Sequence, residues 1–170
     1  MHPMQLSGVV GSGSGQWSDG SVYDLRSSSM GAAYWFADGP NGGNGGPVWS
    51  AQHKTDIAKF VTSYKTKIRP LVRNANLYHI FPRPTNTIWD GVEYYNPATE
   101  KGCVYIFRPE SCSISSQSII LKGLDAAKNY ALSFEDGTNA TVSKSGSELM
   151  STGISVTLNS AKLSEIMWID

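Results

Sequence analysis

Residues 89–111 read WDGVEYYNPATEKGCVYIFRPES, and this stretch decides the fold. Two short runs in it, VEYYN and CVYIFRP, are rich in β-branched and aromatic residues, and the turn-forming pairs Asn96-Pro97 and Lys101-Gly102 separate them. Aromatic and β-branched side chains favour the pleated surface of a strand. Proline or glycine between two such runs marks a turn. The stretch therefore predicts two consecutive strands with a turn between them.

Five further runs of the same kind follow towards the carboxyl end: SIILKGL, NYALSFED, ATVSKSG, ISVTLN and SEIMWID. In ISVTLN the apolar residues alternate with polar ones, so that Ile154, Val156 and Leu158 point to one side of a strand. Seven short strands separated by turn signals are typical of an antiparallel β-sandwich. We therefore predict a mainly β fold, with the sandwich starting near residue 88.

The segment before the sandwich has a helical pattern. Apolar residues recur at spacings of three and four, the period of one helix face, at Ile57, Phe60, Val61, Tyr64, Ile68 and Leu71. Ser50 or Thr55 suits the N-cap, and Pro70 has no N–H to donate within a helix. We predict a helix from about 53 to 80, kinked at Pro70. Its apolar face needs a cover, supplied by residues 1–50, by a second copy or by a catalytic partner domain.

Residues 1–50 are rich in glycine and serine but also carry aromatic residues, which a flexible linker would not need. These aromatic residues are Trp17, Tyr23, Tyr34, Trp35, Phe36 and Trp49. We predict ordered loops that pack on the rest of the protein. The chain thus divides into a Gly/Ser-rich segment at 1–50, a helical segment at 51–84 and a β-sandwich at 85–170.

The composition excludes several classes of partner. The chain of 170 residues has a formal net charge of zero, which does not favour binding to nucleic acid or to an acidic membrane surface. The opening MHPMQLSGVV lacks a basic end followed by an apolar run, so no signal peptide is expected there; a secreted or periplasmic location stays open. Cys103 and Cys112 are the only cysteines, and we expect free thiols.

Motifs for cofactors and metals are missing from the sequence. The glycine-rich loop at 39–47 is not followed by the Lys-Ser/Thr pair of a phosphate-binding loop. His2, His53 and His79 are far apart, and no HxxxH or CxxC spacing occurs. We therefore expect no cofactor and no metal.

The residue types beside the first predicted strand suit a sugar. A pyranose stacks its apolar face on an aromatic ring, and its hydroxyls bind carboxylates or amides. Trp89, Asp90, Glu93 and Tyr94 fit this pattern, and so does Trp49 after the glycine loop. Consecutive residues of a strand face opposite sides, so Tyr94 and Tyr95 cannot both join one site. Packing in a sandwich core is the competing interpretation for every one of these aromatic residues.

Glycoside hydrolysis needs two carboxylates, one on each side of the scissile bond. Candidates in the first zone are Asp19 and Asp24, within QWSDGSVYDLR. The competing interpretation of each aspartate is a turn former or a solvated charge. The sequence does not show whether any two carboxylates face each other.

Four phrases together carry a family resemblance. They are YKTKIRPLVRNANLYHIFPRP at 64–84, the opening stretch at 89–111, IILKGLDAAKNYALSFEDG at 119–137 and SGSELMSTGISVTLNSAKLSEIMWI at 145–169. In this order they resemble the carboxy-terminal end of α-galactosidase-like (melibiase-type) glycoside hydrolases, over about residues 51–170. The resemblance implies that the first phrase corresponds to the last helices of a (β/α)8 barrel and the others to the β-sandwich that follows it.

The resemblance also bears on function. Members of the family are retaining hydrolases with two catalytic aspartates; the Lys-x-Asp phrase of the nucleophile is absent here, and Trp17-Ser18-Asp19 is similar to the Ser-Asp phrase of the acid/base. A complete barrel takes about 250 residues, more than this chain holds beside a sandwich. We therefore predict a non-catalytic, carbohydrate-binding accessory module. The alternatives are a small glycoside hydrolase using Asp19 with a second carboxylate, and a purely structural sandwich.

Overall fold

The computed structural model describes residues 7–10, 21–30, 32–35 and 50–170. The chain divides into two compact units, Met1–Lys67 and Ile68–Asp170. Most of the Gly/Ser-rich segment lies outside the described residues, and the prediction that its loops are ordered stays a prediction. So does the division of the chain into three zones.

The described part of the first unit contains two short strands and two helices. Strands β1 (Ser7–Val10) and β2 (Ala32–Trp35) pair in parallel. Helix α1 (Val22–Ser28) begins after Ser21, and helix α2 (Ala51–Ser63) begins after Ser50. The Ser50 hydroxyl accepts a hydrogen bond from the His53 N–H at 3.1 Å, so Ser50 is the N-cap, one of the two predicted candidates.

The predicted long helix is correct only in its first part. A π-helical turn (Tyr64–Ile68) and a short helix α3 (Arg69–Val72) follow α2. Pro70 lies in the first turn of α3, directly after the π-helical turn. The prediction of a helix up to residue 80 is wrong, because Asn76–His79 forms strand β3. Pairing with β4 along the whole of β3 outweighs the helical spacing of a few apolar residues.

A six-stranded antiparallel sheet dominates the second unit, in the order β3-β4-β5-β10-β7-β8. Besides β3, its members are β4 (Asp90–Asn96), β5 (Lys101–Arg108), β7 (Asn129–Phe134), β8 (Val142–Ser145) and β10 (Leu163–Ile169). Strands β4 and β5 form the hairpin predicted from residues 89–111, with Tyr94 opposite Cys103. Strand β10, the last in the chain, lies in the middle of the sheet between β5 and β7.

Strands β6 (Ser116–Ile119) and β9 (Ile154–Thr157) form a second, two-stranded antiparallel sheet. Both sheets contribute to one hydrophobic cluster, for example Ile119 and Val156 from the small sheet and Val104 and Met167 from the large one. Each of the seven predicted runs overlaps a strand, although SIILKGL does so only at Ser118 and Ile119. The mainly β, antiparallel sandwich is confirmed.

Helix α4 (Gly146–Ser151) was not predicted. A capping box begins it: the Ser145 hydroxyl accepts from the Glu148 N–H at 3.2 Å, and the Glu148 carboxylate accepts from the Ser145 N–H at 3.0 Å. The Ser-x-x-Glu spacing in SGSE was therefore the signal for this helix. Leu149 anchors the helix in the core.

Cys103 and Cys112 are both buried, and neither forms a disulfide, as expected. In the described part of the chain, no helix has the length and the apolar character needed to cross a membrane.

Two glycines with left-handed backbone give a matched test of packing. Gly153, after α4, has φ +73°, and a Cβ there would lie 2.2 Å from the Ile119 carbonyl oxygen; Gly137 has φ +68° and no heavy atom within 4 Å of such a Cβ. We expect Gly137→Ala to lower the free energy of unfolding by about 1 kcal/mol. Gly153→Ala adds a clash with the Ile119 carbonyl oxygen and should lower the free energy of unfolding by about 3 kcal/mol or more. Urea denaturation measures both, and equal losses would contradict the close contact at Gly153.

Candidate functional site

The candidate site predicted from the sequence lies at the start of β4. Side chains alternate along this strand: Trp89, Glu93 and Tyr95 face the hydrophobic core between the sheets, while Asp90 and Tyr94 face the other side. The predicted sugar-binding residues are therefore divided between the two faces of one strand.

Trp89 precedes β4 in the connection from β3, where the sequence placed it, but its side chain is only 2% exposed. Its ring belongs to the hydrophobic core, and its Nε1–H donates to the Ile114 carbonyl oxygen at 2.8 Å. The indole thus has both an apolar contact surface and a partner for its N–H. In this structure Trp89 offers no ring face to a sugar.

Tyr94 is also buried, on the opposite face of the sheet. Its ring lies edge-on to the ring of Tyr105, with centroids 6.3 Å apart, and Tyr105 in turn stacks on Phe107 at 6.5 Å. Such edge-on and stacked pairs are favourable arrangements for buried rings. Tyr94 is therefore part of an aromatic row, whereas a stacking platform for sugar needs an open face.

Asp90 is the least buried of the predicted residues on β4. Its Oδ1 accepts a hydrogen bond from the Gly91 N–H at 2.7 Å. Desolvation raises the pKa of Asp90, against the lowering effects of the Gly91 N–H and of the charge on His79 in β3. An aspartate with a histidine near it can bind a hydroxyl, so Asp90 is the member of this set that suits a surface ligand.

Glu93 lies fully buried inside the sandwich. Its Oε2 accepts a hydrogen bond from the Lys122 N–H at 2.8 Å, while its Oε1 has no hydrogen-bond partner. Burial raises the pKa of Glu93 to about 8, although the Lys122 N–H and ammonium both act to lower it. The carboxyl is thus protonated at neutral pH, and it holds the connection between β6 and β7 to the large sheet.

The remaining predicted residues lie in the first unit. Asp24 is in the first turn of α1, where its N–H donates to the Ser21 hydroxyl at 3.3 Å and its carboxylate accepts from the same hydroxyl at 2.9 Å. It therefore contributes to a helix N-terminus. Asp19 and Trp49 lie outside the described residues. Their predicted roles, and the sugar-binding role of the whole set, stay predictions.

In the second unit, sequence reasoning missed two buried charged residues, Arg108 and Glu165. Arg108, at the end of β5, donates from Nη1 to the Leu158 carbonyl at 2.7 Å and from Nε to the Cys112 carbonyl at 3.2 Å. Glu165, in β10, accepts from the Asp136 N–H at 3.1 Å and from the Thr138 hydroxyl at 2.7 Å. The signal for Glu165 was a lone acid in the apolar run SEIMWI, because a charge inside a buried strand needs partners.

Comparison with known proteins gives a likeness of fold. No protein-family model and no curated protein matches the sequence. A variant of the GH36 α-galactosidase AgaA from Geobacillus stearothermophilus, in complex with stachyose, matches with a TM-score of 0.74 and 18% identity, over 95% of this chain and 21% of that one. The α-galactosidase AgaB from the same organism matches with a TM-score of 0.68 and 19% identity, over 86% of this chain and 18% of that one.

The galactosidase domain of the α-galactosidase-sucrose kinase AgaSK also matches, with a TM-score of 0.64 and 15% identity, over 86% of this chain and 19% of that one. Identities this low show the fold alone. At that level the resemblance to α-galactosidase-like hydrolases is confirmed, and the chain spans about a fifth of the length of these enzymes, as expected for one terminal region.

The buried carboxyl of Glu93 makes stability depend on pH. Between the ordinary value of 4.5 and the raised pKa of about 8, the folded protein keeps a proton that the unfolded chain has released. The free energy of unfolding should therefore fall as pH rises through this window, by up to about 1.4 kcal/mol per pH unit. Glu93→Gln resembles the protonated form and should flatten the slope.

Urea unfolding at pH 5, 6.5 and 8 measures this effect. Glu110→Gln, which changes an exposed glutamate, is the matched control and should keep the wild-type slope. The raised pKa of Glu93 is contradicted if the Glu93→Gln variant keeps the full pH dependence of the free energy of unfolding, or if this variant is less stable than the wild type at pH 8.

Proposed function

We propose that this chain is a non-catalytic accessory domain of an α-galactosidase-like glycoside hydrolase. The main support for this proposal is the similarity of fold. The structural match covers 86–95% of this chain and about a fifth of GH36 α-galactosidases. In this proposal the sandwich stabilises a catalytic domain of the same kind. A similar fold does not by itself assign an activity. The non-catalytic role and the binding of carbohydrate therefore rest on the contacts of the predicted site residues.

The surroundings of the candidate carboxylates support a non-catalytic role. Catalysis of glycoside hydrolysis requires two carboxyl groups that reach the same glycosidic bond. Glu93 is sealed in the core, and the carboxylate of Asp24 accepts from the hydroxyl that caps α1. The remaining alternative, a small hydrolase based on Asp19, needs a second carboxylate that reaches the same bond.

Carbohydrate recognition is the second part of the proposal. Within β4 it rests on Asp90, which is half-buried and lies near His79. Trp49 follows the glycine-rich segment in the sequence and lies outside the described residues, and it is proposed separately as a stacking ring. Trp89, Glu93 and Tyr94 support such a site from the protein interior, through packing and hydrogen bonds, because their side chains are buried.

The first experiment is an activity assay of the full chain with a chromogenic α-galactoside. We expect no turnover above that of a buffer blank, because an accessory domain lacks a pair of catalytic carboxylates. Asp19→Asn and Asp24→Asn serve as controls. Turnover that either substitution abolishes would establish the rival proposal, a small hydrolase.

The second experiment measures binding of raffinose and stachyose, the sugars found in complexes of AgaA variants. Titrations followed by tryptophan fluorescence should show that Trp49→Ala and Asp90→Asn weaken binding, with a loss on the order of 1–3 kcal/mol for the stacking ring. Trp89→Phe should lower the stability of the protein and leave the affinity unchanged.

The comparison of the variants separates the roles. Weaker binding by a folded Trp89→Phe protein would mean that Trp89 contacts sugar after all. A wild-type chain that binds neither sugar supports the purely structural alternative, in which the sandwich only stabilises its catalytic partner.

A further inference from the structure

Strand β6 presents an open edge. It pairs with β9 on one side, and among the described residues no strand lies on its other side. Its side chains alternate between the interior and the surface: Ile119 is buried, whereas Ser116 and Ser118 are exposed. Such an edge carries backbone groups that are able to pair with another strand.

The hydrogen bonds show which backbone groups point to this edge. The Leu158 N–H donates to the Ser115 carbonyl at 2.9 Å, next to the pair Ser116–Thr157. Hydrogen-bonded and non-hydrogen-bonded pairs alternate in an antiparallel ladder. The N–H and C=O groups of Ser116 and Ser118 therefore point away from β9. The Ser118 carbonyl accepts only a long contact, at 3.5 Å, from the Gln117 side chain.

The opposite edge of the same small sheet is closed. There the Asn139 side chain accepts from the Thr157 N–H at 2.9 Å and donates to the Thr157 carbonyl at 3.0 Å. One amide side chain thus satisfies both backbone groups of Thr157, as a neighbouring strand would. The contrast shows that β9 is protected at Thr157, whereas no described strand covers the outer edge of β6.

The side chains along β6 also lack the usual protection. The segment 113–121, SISSQSIIL, has no charged residue, no proline and no glycine. Natural edge strands are commonly guarded by charge, by proline or by a bulge. In the described part of the chain, the exposed large hydrophobic residues are Ile114, 50% exposed, and Ile120, 45% exposed, and they flank β6 on its two sides.

We propose that β6 pairs, antiparallel, with β6 of a second copy of this chain. With Gln117 opposite Gln117 of the second copy, Ser116 lies opposite Ser118, and Ile114 lies opposite Ile120. This register joins the outward N–H and C=O groups of the serines as hydrogen-bonded pairs. It also covers both exposed isoleucines of each copy, so the edge is complementary to itself.

The pairing closes on itself. A two-fold axis at Gln117 uses the same edge in both copies, which gives a dimer. The combined small sheet would have four strands, with β9 at each end, and Asn139 blocks growth there at Thr157. A contact of about seven residues is much smaller than the roughly 800 Å² per partner of a standard interface. We therefore expect a weak dimer, with a Kd on the order of 0.1–1 mM.

Charge-swap variants of the full chain test both the dimer and its register. Ile114 and Ile120 meet only between copies, so Ile114→Lys with Ile120→Lys places like charges opposite each other twice. We expect the Kd from sedimentation equilibrium to rise at least about tenfold. Ile114→Lys with Ile120→Glu places opposite charges there and should restore the Kd to within about threefold of the wild type at low salt.

Amide exchange gives a second measurement that does not depend on the variants. Exchange of the Ser116 and Ser118 N–H groups should slow as the protein concentration rises towards about 1 mM, whereas the Gln117 N–H, which faces β9, should not change. A wild-type chain that stays monomeric at about 1 mM overturns the proposal, and so does a Lys/Lys variant that dimerises like the wild type. If the wild-type chain stays monomeric, the edge of β6 is free to pair with another molecule, such as a strand of a catalytic partner.

Discussion

Pairing of β5 along its whole length with β4 on one side and β10 on the other is the interaction on which the fold depends. The residues from Gly102 to Arg108 are all buried, so both faces of this strand pack against protein. One face joins Val104 and Ile106 to the core between the sheets, and the other carries the aromatic row that contains Tyr105. Because β10 is the last strand in the chain, this pairing also ties the carboxyl end to the first hairpin.

Buried ionisable groups connect the loops to this central sheet. Glu93 holds the connection before β7 through the Lys122 N–H, and Glu165 holds the turn after β7 through Asp136 and Thr138. Arg108 binds carbonyls in the two connections that flank the β6–β9 sheet. The hydrogen-bond partners of each group are mainly backbone atoms, although Oε1 of Glu93 has none. Loss of such a group would leave unpaired backbone groups in the interior. These residues therefore position loops, and the structure gives them no access to a substrate.

The two sheets differ in how their edge strands are covered. In the large sheet the central strands are paired on both sides, whereas the small sheet has one edge closed by Asn139 and one edge open. An uncharged, open strand is the kind of surface that a partner covers, because pairing satisfies its backbone groups without new side-chain chemistry.

The sequence by itself determined the strands and the class of fold. Alternation in ISVTLN, and aromatic runs between turn signals, located seven of the eight strands of the second unit, because side-chain period and turn chemistry are local properties. Only the tertiary structure decided that Asn76–His79 is a strand, since its pairing with β4 is a long-range contact that outweighs helical spacing. Only the tertiary structure likewise decided that the side chains of Trp89, Glu93 and Tyr94 are buried. Aromatic and acidic residues side by side are typical both of a sugar site and of a strand buried on two faces, and only packing separates the two.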